Sequence, residues 1–297
     1  MLKMTIAAGA ALLLATGHGA SAQDAPDADP SATPSQKQPR PPLVDDLPDN
    51  VDDYAAPRDN TTPPSVLAIF AHPDDEITVS PVLSRIAREG GTVTIVFATS
   101  GDAGPGSSGF EPGQALANLR EREALCAALA LGLDDPLFWK LGDGTLSTMA
   151  RAPDSPARQL AGRITDIIAI TRPEVIMTWG PDGGYGHADH RMVSAAVTQV
   201  VQQMGHDRPE LLYTAIPDGS GSELGGFEGW ATIHPSLVTD RLRYTPLDLQ
   251  NASSALDCYE SQFSDEIRAS LIPMLHESVW RGAVFFRLAF PHTVEPS

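Results

Sequence analysis

The chain has 297 residues, 42% hydrophobic and 20% charged, enough apolar material for one sizeable core without requiring a second. With 20 basic against 38 acidic side chains its formal charge is −18, and such a surface repels nucleic acid and anionic membranes, so neither is an expected partner. Only Cys126 and Cys258 are available for a disulfide, so a cross-linked miniature scaffold is excluded.

The chain opens with "MLKMTIAAGAALLLATGHGASA": Lys3, an apolar run, then small residues ending Ala20-Ser21-Ala22. This is the pattern of a signal peptide over residues 1–22 with cleavage before Gln23, and the apolar run is shorter than the roughly 20 residues a bilayer span needs. The expectation is export, to the periplasm or outside the cell, with no membrane span after cleavage. Removing the segment takes away Lys3 alone, leaving 19 basic against 38 acidic side chains and a net charge of −19. Residues 23–62 are rich in Pro, Asp, Ala and Ser, with too little to bury to offset the entropy of ordering, and read as a disordered linker.

Residues 63–297 read as one domain. "SVLAIFA", "GTVTIVFAT", "PLFWKLG", "PEVIMTWG" and "ELLYTAI" are strand candidates, alternating with helical stretches "PVLSRIARE", "QALANLREREALCAALALG", "ARQLAGRITDIIAITR" and "HRMVSAAVTQVVQQMG". Strands apolar on both faces and separated by helices predict a Rossmann-like α/β fold, a mostly parallel sheet with helices on both faces. Cys126 falls on the expected buried face of the second helix and reads as a packed thiol, a Cys126–Cys258 bridge being the alternative. Residues 217–246 read as a long Gly- and Ser-rich loop or a small excursion over the sheet, the stretch from Leu247 as helix up to Pro273, and "AVFFRLAF" as a closing strand.

In such sheets ligands sit beyond the carboxyl ends of the strands. Two clusters fall there: "AHPDDE" (His72, Asp74, Asp75, Glu76) after the first strand, and "GGYGHADH" (Tyr185, His187, Asp189, His190) after "PEVIMTWG". Carboxylates at a helix start serve as caps, but Ser80-Pro81 supplies its own start signal, which leaves Asp74 and Asp75 in a tight turn. His187 and His190, three apart at a helix start, share one face. Imidazole and carboxylate are the ligands zinc takes, three of them leaving a position for solvent, so one divalent ion is expected. "TSGDAGPGSSG" (residues 99–109) lacks a phosphate-binding pattern and reads as a loop lining the site, and Asp143 in "LGDGTL" as a turn residue.

"AHPDDE" followed by "GGYGHADH" resembles the LmbE-like or PIG-L family of metal-dependent N-acetylglucosaminyl deacetylases, over most of residues 66–216. The resemblance implies His72, Asp75 and His190 as ligands of one Zn²⁺ and Asp74 as general base. It further implies His187 as the imidazole that stabilises the oxyanion, balancing its charge if protonated, and Asp189 as the carboxylate orienting a histidine. Tyr185 is implied beside the tetrahedral intermediate and Arg120 as a substrate contact, with Arg122 second. Ala188 stands where many relatives have proline. The implied activity is removal of an N-acetyl group from an amino sugar, small glycoside or polymer. The alternatives are a metal-dependent hydrolase of another amide or ester, or a non-catalytic carbohydrate-binding protein of the same fold.

Overall fold

The computed structural model describes residues 63–220 and 229–290, so the expected signal peptide and linker lie outside the described residues. Five strands run parallel: β1 (Val66–Phe70), β2 (Val93–Phe97), β3 (Leu137–Phe138), β4 (Val175–Thr178) and β5 (Glu210–Ala215). Two more, β6 (Asp240–Arg243) and β7 (Ala283–Leu288), complete a seven-stranded sheet in the order β3-β2-β1-β4-β5-β7-β6. The helices are α1 (Ser80–Arg88), α2 (Gln114–Leu131), α3 (Pro156–Thr171), α4 (Ala188–Val201), α5 (Pro246–Asp257) and α6 (Asp265–Leu275).

The apolar continuity of β1 follows from burial on both faces, with successive side chains pointing to opposite sides of the sheet. Val66, Ala68 and Phe70 join a core with residues of α1, α2, α5 and α6, whereas Leu67, Ile69 and Ala71 join a second core with α3 and α4. Helix ends obey local rules: α2 stops at left-handed Gly132, and α3 starts with Ser155 accepting from the Arg158 N–H ahead of Pro156. Since β1 pairs with β2 on one flank and β4 on the other, the strand order reverses between β1 and β4. That reversal opens the crevice in which such folds place their ligands.

Three expectations differ from the structure. Within 217–246, read as a long loop or small excursion with no strand of its own, lies β6, an edge strand paired antiparallel with β7. The helix expected up to Pro273 breaks after Asp257, and α6 accommodates Pro273 inside its own last turn. The expected closing strand is present as β7, which runs antiparallel between β5 and β6. Finally, Cys126 is on the exposed side of α2 and forms a disulfide with Cys258, so the packed-thiol reading fails. A cross-link between residues 132 apart stabilises by roughly 2–4 kcal/mol, chiefly by restricting the unfolded chain.

Candidate metal centre

At the carboxyl end of β1 the chain turns sharply. Asp74 takes φ 104°, ψ −19°, and a short 3-10 turn, Asp75–Val79, leads into α1, whose first residue is Ser80. Asp74 makes no side-chain cap bond there. Asp75 turns its carboxylate inward instead: Oδ2 accepts from the N–H groups of Ala71 and His72, each at 3.0 Å, and from Trp179 Nε1 at 3.1 Å. Its Oδ1 faces His190 Nε2 at 3.1 Å, and its pKa is held well below the usual carboxylate range because the attraction of His190 and His72 outweighs burial.

His190 comes from the first turn of α4, which follows β4. Its ring stacks on Trp179, centroids 4.5 Å apart and planes at 4°, and its Nδ1–H donates to Gly183 O at 3.1 Å. Gly183 must lack a side chain, because a Cβ at its φ of +72° lies 2.9 Å from His187 O. His72 is anchored from the opposite side: its Nε2 faces Asp143 Oδ1 at 3.0 Å and Asp189 Oδ2 at 3.4 Å. With these acceptors fixing the tautomers, the inner lone pairs of His72 Nδ1 and His190 Nε2 face each other across 3.2 Å. Only a proton or a cation between them resolves that repulsion.

The donor set fits a divalent ion. Two inner contacts measure 3.2 Å (His72 Nδ1–His190 Nε2) and 3.1 Å (His190 Nε2–Asp75 Oδ1), while the other Asp75 oxygen, Oδ2, stands 3.8 Å from His72 Nδ1. Ligands at roughly 2.0–2.2 Å from a tetrahedral zinc stand about 3.3–3.6 Å apart. Each histidine already has an acceptor on its outer nitrogen, the arrangement that orients metal-binding imidazoles. The His72, His187 and His190 nitrogens also lie within 4.8 Å of one another. Burial disfavours a charge on His72, yet hydrogen bonds to Asp143, Asp189 and Asp75 prevail and raise its pKa well above the ordinary imidazole value: the pocket favours a cation.

The remaining residues surround this centre. Asp74, part-exposed, is pushed up to about 6 by desolvation and by Asp75, partly opposed by Arg120, His72 and His190. Asp189 is wholly buried, accepting from Gly144 N at 2.7 Å and Leu146 N at 3.1 Å besides His72. His187 caps α4, its Nδ1 accepting from Asp189 N at 3.2 Å. That bond places the neutral ring's proton on Nε2, and desolvation together with His72 and His190 lowers its pKa, which disfavours the protonated form. Tyr185, 39% exposed, lies 5.2 Å ring to ring from His190, and burial with the nearby Asp75 and Asp74 charges keeps its phenol protonated.

Two residues have contacts the sequence did not reveal. Asp143, read as a turn residue, accepts from Ala103 N at 3.1 Å as well as facing His72, and its carboxyl is lowered to about 2: burial opposes the charge, but the bonds from His72 prevail. Its signal was the position of "LGDGTL" just past a strand end. Arg120 is only 4% exposed: Nη2 donates to Pro73 O at 2.7 Å and Asp74 Oδ2 at 3.1 Å, and Nη1 to Gly101 O and Gly104 O. A Cβ on Gly101 would fall 2.3 Å from that guanidinium, so the glycine-rich loop after β2 exists in part to admit it. Arg122, by contrast, is exposed.

Residues 67–201 match the family model described as PIG-L, GlcNAc-PI de-N-acetylase. The chain is 30% identical over 169 residues to a 1D-myo-inositol 2-acetamido-2-deoxy-alpha-D-glucopyranoside deacetylase from Mycobacterium sp. (strain KMS); the match covers 52% of this chain and 55% of that protein, so the chain spans about half the length of the relative. Among solved structures, the fold is similar to the N,N'-diacetylchitobiose deacetylase from Pyrococcus horikoshii (TM-score 0.56, 19% identity, 75% of this chain and 83% of that one). It is equally similar to the 4-carboxy-2-hydroxymuconate hydratase from Pseudomonas putida KT2440 (TM-score 0.55, 15% identity, 79% and 99%). Shape alone therefore admits more than one chemistry. The likeness to the PIG-L family is carried by the matched sequence over residues 67–201, which contains the two motifs that meet at the reversal between β1 and β4.

Proposed function

We propose that the protein is an exported, zinc-dependent hydrolase that removes the N-acetyl group from an N-acetylglucosamine-type amino sugar or glycoconjugate. The observation that carries the reading is the division of labour between adjacent aspartates: Asp75 faces the histidine pair, whereas Asp74 is held apart by Arg120 with an elevated pKa. A purely metal-storing or sugar-binding site has no use for that second carboxylate. Export is supported by the N-terminal pattern and by a disulfide, which persists in oxidising compartments.

His72, Asp75 and His190 would hold the ion, which when bound polarises the amide carbonyl and makes water a competent nucleophile near neutral pH. Asp74 accepts the proton of the attacking water and returns it to the departing nitrogen, so that acetate and a free amine result; a pKa of about 6 suits a group that must both take and give a proton near neutrality. His187 offers Nε2–H to the carbonyl oxygen as negative charge develops, acting as a neutral donor. Tyr185 offers a protonated phenol on the same side. Asp189 and Asp143 hold His72, and Trp179 covers His190 against solvent.

The test is acetate release from 1D-myo-inositol 2-acetamido-2-deoxy-alpha-D-glucopyranoside and from N,N'-diacetylchitobiose by zinc-loaded protein. Release that stops on chelation and returns with zinc is the expected outcome. Hydration of a dienoate, or cleavage of esters with both acetamido sugars untouched, rejects the reading.

A further inference from the structure

Asp74 holds a left-handed backbone that a residue with a Cβ seldom adopts. Part of what fixes it is Glu76, whose Oε2 accepts the Asp74 N–H at 3.1 Å. Glu76 is 1% exposed and is fixed in turn by Tyr259, fully buried, whose hydroxyl donates to Oε1 at 2.5 Å. Tyr259 directly follows Cys258. On the facing helix α2, Arg120, Glu123 and Cys126 are spaced three apart along one side. Each grips something different: Arg120 reaches Asp74, Glu123 accepts from Ser261 N at 2.7 Å and Ser261 Oγ at 2.5 Å, and Cys126 is bonded to Cys258. Residues 258–261 are thus tied to α2 at both ends, and between the ties Tyr259 reaches the backbone of Asp74 through Glu76.

We propose that Tyr259 and Glu76 are positioning residues for the Asp74 carboxylate and that the Cys126–Cys258 bridge is the latch that keeps Tyr259 seated. The proposal rests on the reading of Asp74 as the group that moves the proton. It assigns a task to the disulfide beyond stability, and to a tyrosine whose hydroxyl bonds Glu76 rather than any of the three proposed metal ligands.

Tyr259→Phe keeps the ring and removes the hydroxyl. In the zinc-loaded variant, kcat for acetate release from 1D-myo-inositol 2-acetamido-2-deoxy-alpha-D-glucopyranoside is expected to fall at least tenfold with KM within twofold and zinc content unchanged. Amide hydrogen exchange at residues 74–76 is expected to quicken at least tenfold while Leu67–Phe70 stay protected. The Cys126→Ser/Cys258→Ser pair, and the wild type reduced by a dithiol, are expected to move the same amides and kcat the same way by a smaller factor. Tyr213→Phe, which removes a hydroxyl bonded to Thr198 at 2.5 Å on the other face of the sheet, is expected to move neither. Unchanged exchange at 74–76 in Tyr259→Phe overturns the proposal whatever the activity, as does loss of zinc or faster exchange throughout β1, either of which marks a merely structural role. An inactive wild type whose variants still show the local exchange pattern counts against the deacetylase reading and leaves the positioning by Tyr259 supported.

Discussion

The crevice between β1 and β4 and the C-terminal stretch from β6 to β7 are built on opposite terms. In the crevice, charged groups are buried and each is satisfied by another charged or polar group: His72 by Asp143 and Asp189, His190 by Gly183 O, Asp75 by three N–H donors. The C-terminal stretch buries apolar side chains, Leu242, Val284, Phe285, Phe286 and Trp280, and holds the edge of the sheet by antiparallel pairing. Low dielectric makes the first region intolerant of losing any one partner, whereas packing losses in the second scale with the volume removed. One region is organised for chemistry and the other for support, and substitutions should separate them.

The largest effect is expected from His190→Ala. It removes one inner nitrogen and the stack on Trp179, and should abolish stoichiometric zinc binding and lower acetate release by at least about 10³-fold, measured by metal analysis and a coupled acetate assay. Full zinc content in that variant breaks the proposed ligand set. Next comes Asp74→Asn, nearly the same shape, which should keep zinc and the fold but cost about 10²–10⁴ in kcat. Zinc retained together with near-normal turnover leaves the proton with another carrier.

In the supporting region, Phe286→Ala opens a void in a fully buried site and should lower stability by roughly 3–5 kcal/mol in denaturant titration, with the zinc stoichiometry of the folded fraction unaltered. The smallest effect is at Asp248, which caps α5 with Thr245 and bonds Arg88 Nε at 2.8 Å. Desolvation opposes its charge, but the bonds from Arg88 and Thr245 prevail and depress its pKa. A depressed carboxylate contributes stability that is complete above its unfolded pKa, near 4, and lost as pH falls through the lower folded value. Asp248→Ala should therefore cost about 1 kcal/mol at neutral pH, the size of a helix-cap loss, with the difference from wild type shrinking below about pH 4 in acid unfolding curves. A gap constant with pH assigns the loss to packing.

The five parallel strands and their covering helices were legible because their signals are local: unbroken apolar runs for strands buried on both faces, and 3.6-residue periodicity between them. The crevice was half legible. His72 to Glu76 and Tyr185 to His190 are compact clusters at strand ends, each readable without knowing the other. Asp143 was not, since a single aspartate between glycines looks the same whether it makes a turn or holds an imidazole contributed 71 positions earlier. The four-residue β6 failed for a related reason, its pairing with β7 having no trace in its own composition. Arg120 was identified as a residue of interest, but its burial and its bonds to Pro73 and Asp74 emerge only from how α2 lies against the turn after β1.

Taken alone, the order of residues determined the five parallel strands and the helices between them, which strand ends carry imidazoles and carboxylates, and that the protein is strongly acidic, because these depend on neighbours within a few positions. Tertiary structure decided which nitrogen of each histidine faces inward, which aspartate stands apart from the pair, and that Cys126 meets Cys258. It also decided that Tyr259 lies 183 positions from the glutamate it holds. Those outcomes depend on distances and burial across the fold, which fix tautomers, pKa directions and cross-links and which no local stretch encodes.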